Sequence, residues 1–330
     1  MKMVQCSLII RSFNEEKHIG RLLQGIAKQT LFPFVEVILV DSGSTDETVA
    51  IAESHGAIIV HIKPEDFSFG KAINVGCAVA NGEFLLFASA HVYPLYTDWL
   101  QKMLSPFEQP KVALVYGRQV GNELTKYSEH QLFKKWFPAV SNYEQVIPFC
   151  NNANAVIRKE LWLQQPYDVQ LTGLEDLDWA TKIQTKGYVI AYEAYAPIVH
   201  VHEETPSRIK NRYRREAIAL KNIYPEEKFS FWSFIRLTTT NIWSDAIHAI
   251  HDGKFFVSIA SIIMFRTMQF WGTYLGYSTK AKPDETLRMR IYYPNDFRRK
   301  LFKKRETESH LGFGEKINYT EMEYSSYEKE

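Results

Sequence analysis

The sequence predicts an α/β protein: a Rossmann-like, mostly parallel sheet flanked by helices, followed by a C-terminal helical extension. Three observations carry that prediction. Apolar runs and helical patterns alternate in a β-α-β-α rhythm through the first hundred residues, the pattern of parallel strands joined by crossover helices. The chain has 330 residues, 45% of them apolar, enough for one large α/β domain and an additional segment. Near Pro225 the character changes to aromatic-rich helices.

The elements follow in order. Val4 to Ile10 reads as a strand, Glu16 to Gln29 as an amphipathic helix, and Val35 to Val40 as a second strand. Thr45 to His55 is helical, Ala57 to Ile62 a third strand, Lys71 to Ala80 a helix, and Glu83 to Ala88 a fourth, buried strand. Beyond Lys111 the pattern is irregular, with strands at Val112 to Gln119, Asn154 to Arg158 and Tyr188 to Glu193. The predicted organisation is a catalytic α/β domain over 1–225, a helical extension with membrane-associating features over 226–305, and a charged, disordered tail over 306–330.

Charge and cysteine content exclude some classes. Lys and Arg number 39 against 38 Asp and Glu, a net charge of +1, which argues against a nucleic-acid partner. Cys6, Cys77 and Cys150 have neither disulfide-framework nor zinc spacing, and Cys6 and Cys77 sit among apolar residues. The N-terminus runs straight into a strand with no signal-peptide pattern, so the expected location is the cytoplasm.

Parallel α/β sheets bind ligands beyond the carboxyl ends of their strands. That singles out Ser12 to Glu16, Asp41 to Asp46 and Ser89 to His91. Asp41 is placed to accept hydrogen bonds from a ligand, whereas Ser44, Thr45 and Asp46 read as a capped helix start. The run Gly173-Leu174-Glu175-Asp176-Leu177-Asp178-Trp179 puts three carboxylates at the start of a helix. One strand later His200-Val201-His202 projects two imidazoles to the same side of an extended segment. A base at a helix start beside an imidazole ligand is a layout for activating a hydroxyl next to a charged leaving group.

Four ordered motifs resemble the family 2 glycosyltransferases: Ser7 to Glu16, Val37 to Asp46, Gly70 to Gly76 with Asn81-Gly82-Glu83, and Gly173 to Trp179. The resemblance covers residues 4 to 225 and implies a GT-A fold and inverting transfer of a sugar from a nucleotide-diphosphate donor. It implies that Asp41 contacts the nucleotide base, that Ser12, Asn14 and Glu15 pack around base and ribose, and that Lys71 lies near the donor phosphates or base. Asp176 becomes the general base, with Glu175 beside it in the motif. The sequence departs from the family at the fourth strand end, where the usual Asp-x-Asp reads Ser89-Ala90-His91. His91 is then a substituted metal ligand, a direct donor to the phosphates, or a bystander in a metal-free site. His200 matches a position that often completes the metal shell, and His202 is a second ligand, an outer partner or a core residue. An imidazole site suits manganese better than magnesium, which prefers oxygen.

Arg208, Arg212 and Arg215 have helical spacing, giving one basic face, either solvated or directed to a diphosphate. Phe255 to Tyr277 reads as an amphipathic helix with Ser258, Ser261, Arg266, Gln269 and Thr273 on one stripe and Trp271 and Tyr274 at interfacial depth. A basic run, Arg288, Arg290, Arg298, Arg299, Lys300, Lys303, Lys304 and Arg305, follows and suits the anionic inner face of a cell membrane. The function expected is glycosyl transfer onto a surface polysaccharide or a lipid-linked glycan. The alternative is a non-catalytic sugar-nucleotide-binding protein. A nucleotidyltransferase is disfavoured, because the first strand is not followed by a glycine-rich loop.

Overall fold

A computed structural model describes residues 5–279 and 312–319. Strands β1 (Cys6–Ser12), β2 (Val35–Asp41), β3 (Ile58–His61) and β4 (Phe84–Ser89) lie in the order β3-β2-β1-β4, all parallel. Helices α1 (Glu16–Ala27), α2 (Thr48–Ser54) and α3 (Phe69–Val79) make the crossovers. The strands carry continuous apolar runs because both faces are covered. Leu8 and Ile10 of β1 pack in one core with Ile19, Leu22 and Ile26 of α1, while Ile9 faces the opposite core with Ile73 and Cys77 of α3.

Beyond β4 the sheet becomes mixed. It adds β5 (Val92–Pro94), β6 (Val112–Val120), β7 (Asn142–Gln145), β8 (Asn154–Arg158) and β9 (Val189–His200). Strand β8 is antiparallel to β4 and β6, whereas β6 and β9 run parallel. Strand β9 continues to His200 instead of ending at Glu193, because it pairs with β6, β7 and β5 along its length. Its pairing with β5 matches Val92 to His200. That register brings the end of the first half of the sheet to the end of the second. Helices α4 (Trp99–Leu104), α5 (Tyr127–Trp136), α6 (Lys159–Gln164) and α7 (Glu175–Thr185) flank this half.

Helices α8 (Pro206–Ile223), α9 (Phe231–His251) and α10 (Phe255–Ser278) build a third core with α7, through Leu177, Leu220, Leu237, Phe270 and Tyr277. Glycines let α10 approach α8 closely: a Cβ at Gly272 would collide with the Lys210 carbonyl. The polar stripe of α10 faces inward. Arg266, Gln269 and Thr273 are buried, and Arg266 makes a paired contact with Asp245 of α9 at 2.7 and 3.0 Å. Trp271 and Tyr274, expected at a lipid interface, are half-buried against Phe234. The basic run from Arg288 to Arg305 lies outside the described residues.

The expectation of a disordered tail fails for 312–319. This segment lies along the residues after β5, with the Thr97 amide donating to the Glu315 carbonyl and the Ile317 amide to the Leu95 carbonyl. Buried Ile317 and the stacking of Phe313 on Tyr96 hold it, apolar anchors that its charged surroundings conceal in the sequence.

Candidate active site

The loops after β1 and β2 are knitted together. The Asn14 amide donates to Ser44 Oγ, and Asn14 Oδ1 accepts from the Thr45 amide. Asn14 adopts a left-handed backbone (φ 54°), a conformation asparagine tolerates better than most residues. The Glu15 amide donates to Thr48 Oγ1. Asp41 is buried, and its carboxylate accepts from Ser12 Oγ, Ser44 Oγ and the amides of Gly43 and Ser44. Those four contacts use the acceptor sites of a carboxylate within the protein. Asp41 is therefore a hub that shapes the loop at the end of β2.

At the other side of the sheet three imidazoles meet. The ring centroids of His91 lie 5.1 Å from His200 and 5.8 Å from His202, and those of His200 and His202 are 4.0 Å apart. One ring nitrogen from each falls within 4.8 Å of the others. Each Nδ1 is bonded outward: His91 to Glu15 Oε1 at 2.8 Å, His200 to Gln119 Oε1 at 2.8 Å and His202 to Glu129 Oε1 at 2.7 Å. That leaves the Nε2 atoms for the centre, and Nε2 of His200 is buried without a partner. Burial drives the pKa of His200 and of His202 well below the ordinary histidine value; neighbouring His202 adds to this at His200, and Arg212 at His202. Both rings are thus neutral near pH 7, the form that binds metals. Imidazoles oriented by a carboxylate or amide on the outer nitrogen, with the inner nitrogen open, have the organisation of a metal shell.

The carboxylate helix α7 starts immediately after Leu174, which holds a left-handed backbone (φ 55°). For leucine that conformation costs on the order of 1–3 kcal/mol, a strain that persists where surroundings impose it. Glu175 pairs with Arg11 at 2.9 Å. Asp176 accepts from the amides of Asn152 and Leu177. Its pKa is raised to about 7, first by burial and then by the neighbouring Glu175. A carboxylate with that value is a competent general base at neutral pH. Asp178 instead pairs with Lys182 at 2.6 Å.

A cavity of about 180 Å³ joins these groups, with Asp176, His200 and His202 in its wall beside Phe133, Trp136 and Phe149. The remaining cations divide. Arg212 is bound by Glu129 at 2.8 Å and Glu204 at 2.6 Å, so its charge is compensated within the protein. Arg215 lies over the Phe69 ring at 4.5 Å, with Arg11 4.9 Å from the same ring. Arg208 is exposed, and Lys71, also exposed, pairs with Asp66 at 3.0 Å. The one basic face expected from the spacing is therefore broken up by local partners. Gln119 and Glu129 were missed in the sequence, where each is an isolated polar residue with no motif to mark it, and Arg11, though inside the first motif, was given no role.

A sheet whose strand ends gather a helix-start carboxylate pair, an imidazole cluster and a knitted loop is arranged as the resemblance to glycosyltransferases implies. Residues 7–162 match the profile described as Glycosyl transferase family 2. Two O-antigen chain rhamnosyltransferases are similar in sequence: RfbN of Salmonella typhimurium, 28% identical over 222 residues, and WbaN of Salmonella anatum, 31% identical over 224. Each match spans 64% of this chain and 70% of the relative. The chain belongs to the family 2 glycosyltransferases. Among solved structures, the mannosyltransferase PcManGT of Pyrobaculum calidifontis, in complex with GDP-Man and Mn2+, superposes with a TM-score of 0.56 at 18% identity, covering 84% of this chain and 86% of that one. At that identity the likeness is one of fold.

Proposed function

We propose that this enzyme is an inverting transferase that moves a rhamnosyl residue from a nucleotide-activated donor to an acceptor hydroxyl of a growing surface glycan. The observation that carries the mechanism is the shared cavity: the raised-pKa carboxylate of Asp176 and two imidazoles of the cluster, His200 and His202, line one space. The names of the two Salmonella relatives support the sugar. In the reaction the acceptor oxygen attacks the anomeric carbon from the face opposite the diphosphate. The bond from that carbon to the phosphate oxygen breaks, its electron pair leaves with the nucleotide diphosphate, and the acceptor proton passes to Asp176 Oδ. Holding acceptor and donor in line supplies much of the remaining rate.

The loop of Ser12, Asn14 and Glu15, shaped from behind by Asp41, forms the wall for base and ribose, and exposed Lys71 and Arg208 face the donor phosphates. His91, His200 and His202 fit a divalent cation, as the unpartnered buried Nε2 of His200 and the three outward-bonded rings indicate. A cation there supplies positive charge to the departing diphosphate. Three imidazoles favour manganese over magnesium. Glu15 links the two halves of the site, since its backbone belongs to the nucleotide loop while its carboxylate orients His91. The acceptor is a lipid-linked glycan, and the enzyme works at the cytoplasmic face of the membrane that carries it.

The test is transfer measured over a panel of nucleotide sugars, with the anomeric configuration of the product read by NMR. Inverted product from nucleotide-activated rhamnose, lost on chelation and restored better by manganese than by magnesium, is the expected result. Retained configuration would overturn the single-displacement mechanism. Undiminished transfer by protein shown to be metal-free would remove the cation site.

A further inference from the structure

The hairpin formed by α9 and α10 buries polar as well as apolar side chains. Its inner face carries the buried Arg266–Asp245 pair with Gln269 and Thr273. Outward, Phe256 is 92% exposed, Val257 83%, Trp243 71% and Ile250 60%. Large apolar side chains this exposed, clustered near one turn, mark an interaction surface. Lys254 on the hairpin and Lys134 at the end of α5, both exposed, lie near the turn. The nearby acid, Asp252, is engaged by the Tyr127 hydroxyl at 2.7 Å and lies in the field of Lys134, Lys254 and His248. The sequence beyond α10, which leaves from the end of that helix opposite the turn, is basic, with ten Lys or Arg against five Asp or Glu over 280–311.

We propose that this turn docks onto an anionic lipid bilayer, with Phe256, Val257, Trp243 and Ile250 entering the headgroup boundary and Lys134 and Lys254 meeting lipid phosphates. The proposal rests on the reading that the acceptor is lipid-linked. Two alternatives are disfavoured by the surface itself. A two-fold contact with a second copy would bring Lys134 and Lys254 towards their own images, and the nearby Asp252 is already engaged by Tyr127. Spanning is within reach of α10 by length, at 24 residues and a mean hydropathy of 1.3. Yet its inner face is tied to the protein by Arg266 and packed closely on α8. A helix fixed on one side and apolar on the other lies on a membrane surface. The face concerned is not the one the aromatic residues Phe270, Trp271 and Tyr274 suggest, since those pack inward.

Flotation of the full chain with phosphatidylglycerol vesicles, compared with phosphatidylcholine vesicles, tests the proposal. The wild-type protein is expected to float with the anionic vesicles. F256E/V257E should lose binding on the order of tenfold or more at low and high salt alike, because two apolar anchors become charged. K134E/K254E should lose only the part that salt also removes. Transfer to a water-soluble acceptor should be unchanged in both variants. Failure of the wild-type protein to float, or flotation of F256E/V257E equal to wild type, would overturn the docking surface. So would a wild-type dimer in sedimentation that F256E/V257E converts to monomer. Normal flotation without any transfer would leave the surface standing and count against the proposed reaction.

Discussion

Asp41 and Asp176 are two buried aspartates in one site, and their surroundings give them opposite characters. Asp41 closes β2 and has its oxygens occupied by two hydroxyls and two backbone amides. Asp176 begins α7 and has only two backbone amides, with a second carboxylate adjacent and a cavity in front. The first is a part of the scaffold. The second is left under-solvated, its proton affinity raised to about 7. Burial alone does not make a residue reactive; what matters is how many of its hydrogen-bonding sites the fold has already filled. Glu129 is a third case, buried and bonded to His202 and Arg212, where it orients another group.

The largest effect should come from Asp176→Asn. The amide keeps shape but takes no proton, and transfer should fall by about two to four orders of magnitude. Donor binding, followed by calorimetry, should persist. Near wild-type transfer by the folded variant would move the base to Glu175. The orienting carboxylate comes next. Glu129→Gln should weaken manganese affinity roughly 10- to 100-fold, the usual cost of losing an outer-shell carboxylate. A variant that binds manganese as tightly as wild type would separate Glu129 from the metal shell.

The contrast between these carboxylates explains what the sequence could reveal. The four parallel strands were legible because their apolar runs are continuous and their crossovers periodic. Asp176 was legible because a family motif and a helix start coincide there. The surroundings of Asp41 were not legible, since its four partners come from loops whose conformation depends on Asn14 and Ser44 meeting across the sheet end. Glu129 and Gln119 gave no signal, being 73 and 81 residues from the histidines they orient. In α10 the periodicity identified the polar stripe correctly but not its direction. That required Asp245, 21 residues earlier on α9, to supply a buried partner for Arg266.

A smaller effect should appear in the pH profile. The base must be ionised, so transfer should rise about tenfold per pH unit below 7 and level off above it. Arg11 opposes the rise in the Asp176 pKa, whereas Glu175 contributes to it. Arg11→Gln should therefore move the profile to higher pH and Glu175→Gln to lower pH. Shifts in the same direction would mean that the limb reports another group.

The smallest effect is also the most direct test of the contrast, because one chemical change made at two sites should have opposite signs. The folded state raises the pKa of Asp176 above its unfolded value near 4, so the native protein holds that proton more tightly. The resulting contribution to stability is full below about pH 4 and is lost as pH rises through 7. At pH 8 the buried charge is a liability, and Asp176→Asn removes it. Its amide also turns one of the two bonds accepted from the Asn152 and Leu177 amides into a donor–donor contact, a cost of about 1–3 kcal/mol against about 4 kcal/mol for the buried charge it removes. That variant should therefore melt slightly above wild type at pH 8 and below it towards pH 4. Asp41→Asn does the reverse. Its amide nitrogen takes the place facing the hydroxyls of Ser12 and Ser44, which turn to accept, while the bonds from the Gly43 and Ser44 amides lose the charge of the carboxylate that strengthened them. A cost of about 1–3 kcal/mol follows, lowering the melting temperature at pH 8. Calorimetric melts of both variants over pH 4 to 8 decide it, and loss of stability at pH 8 in both would mean that Asp176, too, belongs to the scaffold.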